Sequence, residues 1–452
     1  MNGMRLHAIG AAILLAASAA SALAADSPSQ RWEAWRQAQL AGPPERALPR
    51  LAWAFFGDSG IPADDKGFAT YAAAGLTYVQ THPNQAAMSA AESQGLKLFL
   101  GTWEGAVGKD DKVHDLAAKA SADNSVSLMM LKDEADASLL EPIGHDNDIL
   151  YRETPSRVLV LQTILPAHAS KAGNKERWDP QRPCKDDGSY CDFVHHVIQT
   201  AHPAAVGITL YPLLQGGDRA GYYRELGQLR KQTESAKIGL AGFVLVTPHY
   251  DGWSKQRYKR PELSDVLWQV NSLLANNAKL IVYYDYRIKP ENREEKEGAF
   301  AEGMVSASDG QPTDTYGSVQ KANCEIAGIG STLMGLNVRE TYWPEDTKGK
   351  FVPAATQAGP VNVAGNDLLI STLEPEGGSG SSWVMIVNEH HGAGSSASKA
   401  QLQLPAGFNA VQTSADQDCH AKKTPLSVAS NGWVGVEVPP GGASLIEIAR
   451  KN

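Results

Sequence analysis

The sequence predicts an α/β fold, a (β/α)8 barrel followed by a small antiparallel β-sandwich. Three observations carry that expectation. Short apolar runs alternate with helical segments eight times between Leu51 and Arg287. The pattern after about residue 341 changes to short alternating runs broken by Gly and Pro. The chain has 452 residues, which leaves room for a barrel of about 250 residues and a second domain.

The eight strand-like runs are Leu51–Asp58, Thr77–His82, Leu96–Glu104, Val126–Glu134, Arg157–Leu165, Ala205–Pro212, Leu240–Tyr250 and Leu280–Arg287. Several are apolar without a break, such as Val158–Leu161 and Phe243–Val246. Continuous apolar runs suit parallel strands covered on both faces. Between them, Gln85–Gln94, Tyr222–Lys237 and Glu262–Asn276 read as helices; the last has Leu263, Val266, Leu267, Val270, Leu273 and Leu274 at helical spacing. An open dinucleotide-binding sheet is disfavoured, because no G-x-G-x-x-G follows the first run. The connections after the fourth and fifth runs are long, and long loops are usually functional.

A last helix is expected over Gly317–Leu336, then strands near Asp367–Leu373, Trp383–Asn388, Ala400–Leu404, Ala410–Thr413, Gly432–Val438 and Ala443–Ile448. Strands of that length between turn residues read as a sandwich. The expected divisions are residues 1–25, a lead-in at 26–49, the barrel at 50–340 and the sandwich at 341–452.

Residues 1–25 read as a signal peptide. Arg5 and His7 precede an apolar run from Ala8 to Ala20, and Ser21–Ala25 resembles a small-residue cleavage site. A secreted or periplasmic protein is expected, without stable insertion in a membrane. Four cysteines fit an oxidising compartment. Cys184 and Cys191 flank a polar turn and form the preferred pair. Cys324 and Cys419 remain, tying a late helix to the C-terminal segment. Four cysteines allow three connectivities. A metal site is the alternative, but no C-x-x-C is present.

The formal charge of −9 argues against nucleic acid as the main partner. No G-x-S-x-G, Walker loop or H-E-x-x-H occurs. No His-x-His follows the first run, so a metal-dependent hydrolase barrel ranks last. His195–His196 lies in a helical stretch without a ligand partner at suitable spacing. No cofactor is expected. The oligomeric state is not legible.

In a barrel the chemistry belongs to the C-terminal ends of the strands. Those ends supply Asp58, His82, Trp103, Glu104, Asp133, Glu134, Tyr211, His249, Tyr250, Trp253, Tyr284 and Asp285. The set is rich in carboxylates and aromatic rings and holds no cysteine. Rings stack on sugar faces, and glycoside hydrolysis uses one protonated and one ionised carboxyl group. Adjacent strand residues point to opposite faces, so one of Asp133 and Glu134 is expected to face the axis.

Met129–Glu134 resembles the fourth-strand ending of clan A glycoside hydrolases, where the acid/base carboxylate sits. It also resembles the Asp-Glu-Pro ending of related barrels, with Ala135 in place of Pro. Val438–Ile448 resembles the last strands of glycosidase C-terminal sandwiches. The resemblance covers residues 50–450 as architecture and implies a carbohydrate substrate. It also exposes a departure. Such retaining enzymes carry a nucleophilic Glu after strand 7, where this chain has Val246-Thr-Pro-His-Tyr250. The expected pair is therefore Glu134 as acid and Asp285 as its ionised partner, with Glu104 in reserve. The remaining strand-end residues are expected to bind substrate. A non-catalytic carbohydrate-binding barrel is the alternative.

Overall fold

The computed structural model describes residues 26–54, 56, 63–82, 84–101, 105–169, 190–251, 255–288, 300–343, 351–354, 361–376 and 381–451. Eight parallel strands are present: β1 (Arg50–Ala52), β2 (Tyr78–Gln80), β3 (Lys97–Gly101), β4 (Val126–Met130), β5 (Leu159–Ile164), β6 (Ala205–Ile208), β7 (Gly239–Leu245) and β8 (Leu280–Tyr284). Their order is β1-β8-β7-β6-β5-β4-β3-β2. The two ends meet where Thr77 N–H donates to Arg50 O at 2.8 Å and Arg50 N–H donates to Thr77 Oγ1 at 3.0 Å. The sheet is thus a nearly closed barrel. All eight strands are buried at every position or all but one, as continuous apolar runs require.

Helix α1 (Pro28–Leu40) precedes the barrel; α2 (Asp65–Ala73), α3 (Gln85–Ser93), α4 (Asp110–Ala122), α5 (Leu140–Glu153), α6 (Tyr190–Ala201), α7 (Tyr222–Ala236), α8 (Leu263–Ala275) and α9 (Asp314–Met334) follow the strands in turn. The lead-in is a plug. Ser27 caps α1 through a reciprocal capping box with Gln30. Trp35, fully buried, donates its indole N–H to Ser127 Oγ at 3.1 Å at the start of β4. Trp32 fills the space beside Gly239, where a Cβ would lie 2.3 Å from the ring. Arg31 donates to Thr154 Oγ1 at 3.0 Å and to Thr154 O at 2.7 Å. Lys279, just before β8, donates to Leu336 O at 2.7 Å and Leu333 O at 2.5 Å, closing the end of α9. With the N-terminal end of the barrel sealed, the C-terminal end is left as the mouth.

The sandwich strands are β9 (Leu336–Tyr342), β10 (Phe351–Ala354), β11 (Val361–Ala364), β12 (Leu368–Pro375), β13 (Ser382–Asn388), β14 (Ser398–Gln403), β15 (Phe408–Ala415), β16 (Ala421–Pro425), β17 (Trp433–Val438) and β18 (Ala443–Arg450). They form a six-stranded sheet, β9-β12-β13-β18-β15-β16, and a four-stranded one, β10-β11-β14-β17, all antiparallel. β9 begins directly after α9, five residues before the expected change at residue 341. Alternate residues of the larger sheet serve two cores: Leu369, Met385 and Leu445 pack with the barrel, while Ile370, Val384 and Ile446 pack between the sheets. Cys324 of α9 and Cys419 of the β15–β16 turn are disulfide-bonded, as the sequence suggests. Cys191 is also disulfide-bonded; Cys184 lies outside the described residues. Among the described residues no helix is long and apolar enough to cross a membrane.

A buried histidine joins the two parts. His391, between β13 and β14, stacks on Trp268 of α8 with centroids 3.9 Å apart. Its Nδ1 lies 2.6 Å from Asp265 Oδ1 and its Nε2 lies 3.0 Å from Asp218 Oδ2. Burial opposes the charge, but the two carboxylates outweigh it and hold the imidazole above its ordinary value. That stability is fully present below the ordinary histidine range and is lost as pH rises through the raised value. His391→Gln should therefore cost about 2–3 kcal/mol near pH 6 and less at pH 9, read by urea unfolding at both pH values. An equal cost at both would show that the ring is neutral.

Candidate active site

Beyond Met130 the β4 chain does not continue as a strand. Glu134 takes a left-handed conformation, φ +47°, which is uncommon for a residue with a Cβ. The neighbouring strands hold it there. Glu134 N–H donates to Thr163 Oγ1 at 2.9 Å, and that hydroxyl donates to Asp133 Oδ1 at 2.6 Å. Gln162 Nε2 holds Lys132 O at 3.0 Å. The turn brings both Asp133 and Glu134 to one cavity, of about 270 Å3, at the mouth. This corrects the expectation that one of them points away, because strand alternation ends at Met130.

The cavity wall is aromatic. Tyr211, after β6, stacks on Tyr284 with centroids 5.7 Å apart and meets Tyr258 edge-on at 5.7 Å. His249, after β7, lies 4.5 Å from the Tyr258 ring and stacks on Phe300 at 4.8 Å. Trp53, His168, Thr209 and Tyr250 also line the cavity. Two hairpins support this wall: Leu213–Leu214 with Gly217–Asp218, and Tyr250–Asp251 with Gln256–Arg257. They are joined by Gln215 N–H to Arg257 O at 2.9 Å and Lys259 N–H to Leu213 O at 3.0 Å. Glu225 of α7 accepts Ala167 N–H at 2.6 Å and so fixes the loop that carries His168.

The electrostatics separate the groups. Burial, then the charge of Asp133, push the Glu134 carboxyl up to about 7, against the hydrogen bond from Thr209. Thr209 Oγ1 donates to Glu134 Oε1 at 2.6 Å and also lies 3.3 Å from Ile164 O. With Glu134 protonated, its O–H can donate to Thr209 while the threonine proton turns to Ile164 O. One hydroxyl thus serves both protonation states. His249 Nδ1 is 2.9 Å from Thr247 O. A carbonyl only accepts, so Nδ1 carries the proton and Nε2 is the basic nitrogen of the neutral ring. Burial, with Tyr284 and Glu134 nearby, raises the Tyr211 hydroxyl well above its usual value, so it stays a donor.

The cavity takes in Asp133, Glu134, Tyr211, His249, Tyr250 and Tyr284 of the expected set. His82 and Asp285 are not among the residues that line it. At β8 the face that begins with Tyr283 is the outer one, since Tyr283 donates to Asn323 of α9 at 2.8 Å. Tyr284 is the residue that reaches the mouth. Asp285 follows the strand end, and its Oδ1 accepts Arg287 N–H at 3.0 Å. Burial holds its carboxyl well above the ordinary range. Asp58, Trp103, Glu104 and Trp253 lie outside the described residues. Sequence reading missed Trp53, His168, Thr209, Tyr258 and Phe300. Trp53 and Thr209 directly follow β1 and β6, so the strand-end rule reaches them once strand ends are placed correctly.

The chain matches no protein-family model and no curated protein. Its fold is similar to that of a glycoside hydrolase family 5 structure from Bacteroides vulgatus, with TM-score 0.50, 8% identity, and 89% of this chain and 88% of that one covered. An α-amylase from Geobacillus thermoleovorans aligns at TM-score 0.48 and 9% identity over 91% and 99% of the two chains. A family 30 subfamily 8 xylanase from Clostridium acetobutylicum aligns at 0.41 and 9% over 89% and 95%. At such identities the likeness is one of fold alone.

The raised carboxyl gives a stability test. A folded-state value near 7 means that the native state binds more protons than the unfolded chain between about pH 4.5 and 7. Stability is lost as pH rises through that window. Glu134→Gln should raise the melting temperature at pH 8 and leave it nearly unchanged at pH 4. A drop at pH 8 would show that the ionised carboxylate is stabilised in place.

Proposed function

We propose that the chain is an exported glycoside hydrolase acting on a poly- or oligosaccharide, with Glu134 as general acid and Asp133 as the second carboxylate. The observation that carries this reading is one arrangement: a carboxyl group raised to about 7 beside a second carboxylate, in an aromatic-walled cavity at the barrel mouth. A group with that value is still half protonated at neutral pH and can deliver a proton to a leaving glycosidic oxygen. Tyr211, Tyr284 and Trp53 offer ring faces to sugars, and the protonated tyrosines offer donors to hydroxyls. The disulfides fit the exported state implied by residues 1–25.

Asp133 is the residue next to Glu134, so it is poorly placed to act from the opposite side of a scissile bond. That placement favours a second, narrower reading in which the substrate supplies its own nucleophile, as 2-acetamido sugars do. The acetamido oxygen attacks the anomeric carbon while Glu134 protonates the departing oxygen. Asp133 then orients the acetamido N–H and balances its developing charge.

Hydrolysis of a glycan panel with and without 2-acetamido groups, using wild type, Glu134→Gln, Asp133→Asn, Asp285→Asn and Glu104→Gln, tests both readings. Glu134→Gln should cut kcat by about 10²–10⁴-fold, with a smaller change in sugar binding. Asp133→Asn should also lose activity, and Asp285→Asn should keep it within a few-fold. Wild-type activity should fall as pH rises through about 7, because the acid must be protonated. Loss of activity in Asp285→Asn with full activity in Asp133→Asn would return the second role to Asp285. Binding of sugars without hydrolysis of any would make the chain a carbohydrate-binding barrel.

A further inference from the structure

The connection after β3 meets α5 at three side chains that take no part in the cavity. Asp110 opens α4, and His145 and Asp146 lie in the second turn of α5. One ligand-capable atom from each lies within 4.8 Å of the other two. His145 Nε2 is 3.1 Å from Asp110 Oδ1, and both residues are exposed. An exposed Asp–His pair alone needs no ligand to account for it.

Asp146 differs. It is 0% exposed. Its Oδ2 accepts Gly108 N–H at 2.8 Å, but its Oδ1 is buried with no hydrogen-bond partner. Folded proteins rarely leave a buried carboxylate oxygen without a donor. The same carboxyl group supplies the third atom of the cluster, and the charges of His145 and Asp110 both act on it. A cation among the three would neutralise two adjacent carboxylates and give the buried Asp146 carboxyl a partner beyond its one backbone hydrogen bond.

We infer that Asp110, His145 and Asp146 form a divalent-cation site of the zinc class. The donor set decides the class. Calcium and magnesium take oxygen ligands, whereas one imidazole nitrogen with carboxylate oxygens is a common zinc set. Ligands at about 2.0–2.1 Å in a tetrahedron stand about 3.3 Å apart, close to the 3.1 Å between His145 Nε2 and Asp110 Oδ1. The exposed side of the cluster leaves the fourth position to water. The ion would be structural. It would pin the start of α4, and the turn at Gly108 with φ +69°, against α5. That turn lies on the same side of the barrel as the mouth. The site does not depend on the glycosidase reading.

The test uses the full chain, stripped with chelator and titrated calorimetrically with ZnCl2, beside the double variant Asp110→Asn, His145→Gln. Both residues are exposed, and circular dichroism checks that the variant folds. The wild type should take up one zinc equivalent that the variant loses or binds at least about tenfold more weakly. Added zinc should raise the melting temperature of the wild type and leave that of the variant unchanged. The chain has 12 histidines, so uptake common to both proteins is subtracted. Equal zinc uptake and equal thermal response in the two proteins would overturn the site. So would calcium or magnesium uptake lost in the variant without any zinc uptake.

Discussion

The turn at Glu134 is the constraint on which the site rests. A left-handed residue with a side chain persists only where its surroundings hold it. Here Thr163 of β5 takes the Glu134 N–H and also binds the Asp133 carboxylate, while Thr209 binds the Glu134 carboxyl itself. The parallel barrel puts the ends of β4, β5 and β6 side by side, which makes those bonds possible. Asp133 and Glu134 are thereby forced into one partly buried space, where burial and then the nearby Asp133 charge raise the Glu134 carboxyl. The chemistry is a consequence of register and burial.

The rest of the fold keeps this arrangement rigid and open on one side. α1 closes the barrel floor through Trp35 and Arg31, at the end opposite the cavity. The hairpin that carries Tyr250 and leads into Tyr258 is braced by the Leu213–Asp218 hairpin. Asp218, paired with Leu213 at the open end of the first hairpin, reaches His391 of the sandwich. The sandwich therefore helps to hold the cavity wall as well as covering α8 and α9. The double use of its larger sheet, with alternate residues in two cores, explains why β13 is buried along its whole length.

The barrel was legible because strands covered on both faces must be apolar throughout, and Val158–Leu161 and Phe243–Val246 have no other good use. Strand ends were not legible. Asp133–Glu134, Tyr211 and Asp285 extend their runs by composition, yet β4, β6 and β8 stop at Met130, Ile208 and Tyr284. Hydrogen bonds from neighbouring strands set those limits, and such bonds leave no periodic trace. For the same reason Asp285 looked like a mouth residue. Tyr258, His168 and Phe300 come from loops whose positions depend on long-range contacts. Cys324 and Cys419 were legible as a pair only by elimination, since 95 residues separate them.

The central claim is that Glu134 is an acid held protonated toward neutral pH by burial and by Asp133. Carbon-13 NMR of glutamate side-chain carboxyls, with Glu134→Gln to assign the signal, measures this directly. The account predicts a midpoint near 7 in the wild type and a lower one in Asp133→Asn. A midpoint in the ordinary glutamate range of about 4.3, or one that Asp133→Asn leaves in place, would contradict it.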